Sequence, residues 1–147
     1  MKRAELLNVL EDWRRAGIYR LPPRGRAVVL EAAETAGLAC FQVSFADADR
    51  IGRALGKLGQ ALDFPDWYGQ NLDALKDCLT DFSWCQAPGY VLIILRAETL
   101  YAEDSVGFQA LNEVFAAAVA EWQSQNCPMW VFYDLPADEL ATLATPG

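Results

Sequence analysis

The chain has 147 residues, the size of one ordinary domain, and its 53% hydrophobic and 12% aromatic content is well above a disordered composition. It contains no histidine, which excludes a Ser-His-Asp triad, a Cys-His pair, histidine-based ribonuclease chemistry and a His-ligated metal. The net charge of −8 is unevenly spread: residues 1–62 hold ten basic and seven acidic side chains, and residues 63–147 hold two basic and thirteen acidic.

The second half therefore carries −11 against +3 for the first. Such a surface repels nucleic acid and attracts basic partners, although acidity also serves solubility alone. No apolar run approaches the roughly 20 residues needed to span a bilayer. The start, "MKRAELLNVLEDWRRAG", lacks the apolar stretch and cleavage site of a signal peptide. A cytoplasmic protein without membrane association is expected. None of Cys40, Cys78, Cys85 and Cys127 sits in a CxxC pair, so free thiols are expected rather than disulfides or a metal site. Cys85, next to Trp84, is the thiol placed in a loop.

In chain order, Leu6, Leu7, Leu10 and Trp13 recur at helical spacing over residues 4–16, with Gly17 as the stop. "LPPRG" (21–25) reads as a turn or linker, and "AVVLEAAETAG" (27–37) as a helix. "LACFQVSF" (38–45) is β-prone and mostly apolar, which predicts a strand buried on both faces. Residues 46–62 form a helix with Ile51, Leu55, Leu58 and Leu62 on one face and Asp47 or Asp49 as its cap. Its three glycines weaken it, so packing must hold it. "GYVLIILRA" (89–97) suits a central parallel strand, residues 105–126 a long helix, and "PMWVFYDL" (128–135) a third strand. The tail "PADELATLATPG" predicts one turn of helix that then frays. Trp122 and Trp130 fall in apolar patterns and read as core. Strands alternating with helices predict an α/β fold with a three-stranded parallel sheet packed by helices. Residues 1–37 form an N-terminal helical extension to a domain at 38–147.

The stretch "FPDWYGQNLDALKDCL" (64–79) stands apart. Pro65 turns the chain, Gly69 supplies backbone freedom with a positive φ as one option, and Asn71 is a good N-cap. Asp73 falls in the first helical turn, where the dipole favours an acid. Leu72, Leu75, Cys78 and Leu79 make an apolar face. Asp73, Asp77 and Asp81 lie four apart on another face, a mild mutual repulsion relieved only by Lys76. Spacing alone does not separate a binding surface from solvated acids. The adjacent Trp67 and Tyr68 shift the balance, because both cannot easily be buried in such a loop, and Tyr68 is the one expected to be core. An exposed aromatic beside carboxylates suits an interface anchor.

Here the sequence resembles the barstar family, intracellular inhibitors of basic ribonucleases. Pro65, Trp67-Tyr68, Gly69 and "NLDALKDCLT" (71–80) carry the resemblance, with a looser match in register downstream. It covers roughly residues 38–135. It implies the same three-stranded sheet, and a loop and helix that plug a nuclease active site. Asp73 and Asp77 would meet the enzyme's Arg and Lys groups in place of RNA phosphates. Trp67 would pack over its catalytic centre, with Tyr68, Gly69, Asn71 and Leu72 in the same segment. Phe82 lies near a family Trp at the end of the binding helix. Lys76 stands where the family's best-known member has Trp. A family acid on the long helix aligns with Ala117, leaving Glu113 and Glu121 as possible substitutes.

The expectation is a monomeric, non-catalytic inhibitor or immunity protein. It would bind a basic extracellular-type ribonuclease or RNase toxin one to one, with no cofactor, no metal and no direct nucleic-acid contact. The alternative is an interaction module for another basic protein. A carboxylate enzyme is disfavoured, because Asp73 and Asp77 share one exposed environment and should titrate alike. The arginines at 14, 15, 20, 24 and 26 read as solvated, the other option being an arm folded on the acidic face of its own chain or of a second copy.

Overall fold

A computed structural model describes residues 3–21 and 24–135. In chain order the elements are α1 (Arg3–Glu11), β1 (Ile18–Arg20), α2 (Arg26–Thr35), β2 (Ala39–Ser44), α3 (Ile51–Ala61), α4 (Leu72–Asp81), β3 (Tyr90–Leu95), α5 (Glu98–Glu103), α6 (Ser105–Gln123) and β4 (Met129–Tyr133). The α/β class and the parallel pairing agree with the sequence reading. The strand number does not: the sheet has four parallel strands in the order β1-β4-β3-β2. The extra strand comes from the N-terminal segment. Three residues, Ile-Tyr-Arg between Gly17 and the two prolines, are too short for a periodic signal, and only pairing with β4 makes them a strand.

The register assigns each side chain to a face. Phe41, Leu92 and Val131 are in line across the sheet, as are Gln42, Ile93 and Phe132. The Phe41 side meets α4 and α6: Phe82 stacks on Phe41 and Tyr90, and the Tyr133 hydroxyl donates to Asn112 Oδ1 at 2.7 Å. The Gln42 side meets the N-terminal helices: Arg26 Nε donates to Gln42 Oε1, and Trp130 Nε1 donates to the Leu10 carbonyl at 2.8 Å. The sheet is thus sandwiched, with α1 and α2 on one face and α3, α4 and α6 on the other. Gln123 of α6 clamps the N-terminal segment further, its amide donating to the carbonyls of Trp13 and Ala16. The arginine-bearing arm therefore does not lie over the α4 surface of its own chain.

Two local expectations need correction. β2 is an edge strand, so Val43 is buried while Gln42 and Ser44 are exposed; an apolar run buried on both faces fits the central β3 instead. α3 is capped neither by Asp47 nor by Asp49. Arg50 is its N-cap without a side-chain bond, and the Ile51 N–H donates to the Asp104 carboxylate, 53 residues along the chain. The same carboxylate caps α6 through the Gly107 N–H, and these two bonds hold its pKa below the ordinary value. α5 goes unsignalled because six residues give no helical period. The turn expected after Leu135 lies outside the described residues. Among the described residues no helix is long and apolar enough to cross a membrane.

Candidate protein-binding site

The stretch from Phe64 to Asp77 is fixed from beneath by aromatic packing. Tyr68 is half-buried, its hydroxyl donating to the Leu55 carbonyl of α3 at 2.8 Å and its ring edge-on to Phe64 at 4.7 Å. Burial and the neighbouring Cys78 raise the Tyr68 pKa, so the phenol keeps the proton it donates. The ring lies against α3 where that helix has Gly59; a Cβ there would come within 2.7 Å of it. The glycine that weakens α3 by propensity is the one that lets the loop dock.

Trp67, next along, projects outward and is 54% exposed. Its inner edge meets Trp84 at 6.5 Å, and Trp84 in turn contacts Phe64 and Phe82 and donates to the Leu62 carbonyl. Gln70, with φ of 53°, makes the left-handed turn that the sequence reading offered to Gly69. Gly69 serves otherwise: a Cβ there would press within 3.2 Å of Asn71 Nδ2. Asn71 then caps α4, its Oδ1 accepting from the Ala74 N–H at 2.8 Å.

From this cap α4 runs with Leu75, Cys78 and Leu79 buried and Leu72 half-buried. Trp122 Nε1 donates to the Leu79 carbonyl at 2.7 Å and ties the helix to α6. Burial, aided by the charges of Asp77 and Asp81, pushes the Cys78 thiol up to about 11. Asp73, Lys76 and Asp77 are all exposed, and among the described residues none of them is in an ion pair. The site thus presents a large indole and two carboxylates on a braced, capped helix start. These groups suit contact with cations and a flat apolar surface. Among the described residues no cluster of side chains could hold a metal ion.

The structure brings Trp67, Tyr68, Gly69, Asn71, Leu72, Asp73, Lys76 and Asp77 into one continuous segment. Phe82 is a correction. It is 1% exposed, ends α4 in the left-handed region at φ 47°, and stacks on Tyr90 at 4.4 Å, so its side chain cannot touch a partner. The partly exposed aromatic beyond the helix is Trp84, two residues on. Glu113 is also displaced from this surface: it lines a groove with Ile18, Phe108 and Asn112 at the β1 side of α6. Glu121 is exposed and Ala117 half-buried. Of the residues that sequence reasoning missed, Trp84 was visible as an aromatic near the motif. The role of Gly59 had no local signal.

The molecule is a parallel α/β sandwich that exposes an indole and an acidic helix start. The chain belongs to the barstar family, described as "Barstar (barnase inhibitor)", which it matches over residues 38–134. The match starts just before β2, so α1, β1 and α2 lie outside it. A Bacillus subtilis (strain 168) protein named "Putative ribonuclease inhibitor YrdF" is 61% identical over 31 residues, 21% of this chain and 32% of that relative. The similarity thus spans about a third of the relative's length.

Proposed function

We propose that this protein is a ribonuclease inhibitor that acts by occlusion and performs no catalysis of its own. The segment from Trp67 to Asp77 enters the active site of a basic ribonuclease. Asp73 and Asp77 take the positions of RNA phosphates against its cationic groups, and Trp67 covers its catalytic centre, with Tyr68 adding aromatic contact. The observation that carries this reading is the exposure of Trp67 in the segment that leads to two exposed carboxylates, neither in an ion pair among the described residues, on a helix whose start Asn71 caps. Exposed acids without intramolecular partners keep their full charge for a partner and steer its approach. In this reading residues 38–147 hold the binding unit, β1 adds an edge strand to its sheet while α1 and α2 brace the far face, and the complex is one to one inside the cell.

Titration into a basic ribonuclease of the barnase type, with RNA cleavage followed at low and high salt, tests the proposal. Stoichiometric inhibition that weakens with salt is expected. Full cleavage in the presence of micromolar inhibitor would overturn it.

A further inference from the structure

We propose that the groove between β1 and α6 is a small-molecule site, one that takes an organic cation with a flat apolar body. The groove lies at the seam between the N-terminal segment and the family core. Ile18 of β1, outside the residues that match the family, forms one side; Tyr101 of α5 and Phe108, Asn112 and Glu113 of α6 form the other. No residue of the stretch from Phe64 to Trp84 lines it, so the inference stands apart from the ribonuclease reading. The sheet explains why the groove exists. Ile18 is in line with Val131, Leu92 and Phe41, and so faces the layer that holds α4 and α6. β1 is the outermost strand beyond β4, and its Ile18 is left half-buried beside α6.

The groove has a volume of about 690 Å³, within the roughly 300–1,000 Å³ of small-molecule sites. Its walls are set in advance. The Phe108 ring is buried, edge-on to Tyr101 at 5.2 Å and against Tyr133 at 5.3 Å. Asn112 is held in place by the Tyr133 hydroxyl, which donates to its Oδ1. The two rings, with Ile18 opposite, offer apolar walls to a flat body. Glu113 is the one acid or base among the lining side chains that is charged at neutral pH. It is exposed, and in no ion pair among the described residues. A neutral ligand seated over this carboxylate would strip water from it without return, and an anion would be repelled. An ammonium would pair with it. Shape and charge together select an amine joined to an aromatic body.

Tryptamine, tryptophol and indoleacetate carry the same ring system with an ammonium, a hydroxyl or a carboxylate. Each would be titrated into the full chain, and into its Glu113→Gln and Ala116→Phe variants, while the methyl signals of Ile18 are followed by NMR. Ala116 is exposed within the groove, so a phenylalanine there fills the site without entering the core. Urea unfolding checks that both variants fold. Tryptamine should move the Ile18 signals and bind about three- to tenfold more tightly than tryptophol, with indoleacetate the weakest. Glu113→Gln should remove the preference for tryptamine and leave tryptophol binding in place. Ala116→Phe should abolish the binding of both. The inference is overturned if tryptophol or indoleacetate binds as tightly as tryptamine, or if the preference survives Glu113→Gln. It is equally overturned if Ala116→Phe binds undiminished, or if none of the three ligands moves Ile18 at millimolar concentration. Any of these results leaves the ribonuclease reading untouched, because the groove shares no residue with that surface.

Discussion

Replacing Gly59 with alanine probes how the binding segment is seated. In an ordinary helix interior the change stabilises by about 1 kcal/mol. Here the new Cβ would lie 2.7 and 2.9 Å from two ring carbons of Tyr68. Carbon atoms pack at about 3.5–4.0 Å, so the ring must retreat by roughly 1 Å. That movement strains the 2.8 Å bond from the Tyr68 hydroxyl to Leu55 and the edge contact with Phe64. Overpacking costs about 1–3 kcal/mol and a lost hydrogen bond about 0.5–1.5 kcal/mol. The balance is a loss of about 1–3 kcal/mol in place of a gain. Gly52→Ala on the same helix is the control, because its Cβ would meet nothing within 4 Å. It should be neutral or stabilise by up to about 1 kcal/mol. Urea unfolding followed by tryptophan fluorescence measures both, and nuclease titration reports whether Trp67 has moved with its neighbour. If Gly59→Ala were as stable as Gly52→Ala and inhibited equally well, the Tyr68 seat on α3 would not be what orders the loop.

Asp77→Ala should weaken nuclease binding by more than about 2 kcal/mol while leaving the urea midpoint unchanged, since the carboxylate is exposed and in no ion pair among the described residues; calorimetric titration decides. Asp104→Ala should unfold at lower urea at neutral pH, because one carboxylate caps two helices. Its native pKa is depressed, so its contribution is present above the unfolded carboxylate value and disappears as pH falls through the native value. The gap between the two proteins should therefore close on acidification, and a pH-independent gap would contradict this. Gln123→Ala should cost about 1–2 kcal/mol through two lost bonds to the N-terminal segment, with faster amide exchange in α1 as the local signature. Burial holds the Cys40 and Cys78 thiols at about 11, so an alkylating reagent at pH 8 should leave both unmodified in the native protein. Peptide mass spectrometry would show labelling of Cys78 only after unfolding.

The sequence by itself determined the elements that carry a long or strong local signal. The apolar run of β3, the periodic α6, the Asn71 cap and the acidic row on α4 are all set by neighbours within a few residues. Asp73, Asp77 and Trp67 were legible because their types are costly or unusual where they stand, and the structure leaves all three exposed. The tertiary structure decided whatever depends on partners distant in the chain. β1 is a strand only because β4 lies beside it, and β2 is half-exposed because, among the described residues, it stands at the edge of the sheet. Asp104 reaches back to α3, and Phe82 is withdrawn from the surface by Tyr90 and Phe41. Gly59 counts against a helix by propensity and is required by a ring nine residues later. Local chemistry fixes what a segment can offer. Burial, and therefore which of its side chains remain available to a partner, is set by contacts between segments that the linear order keeps apart.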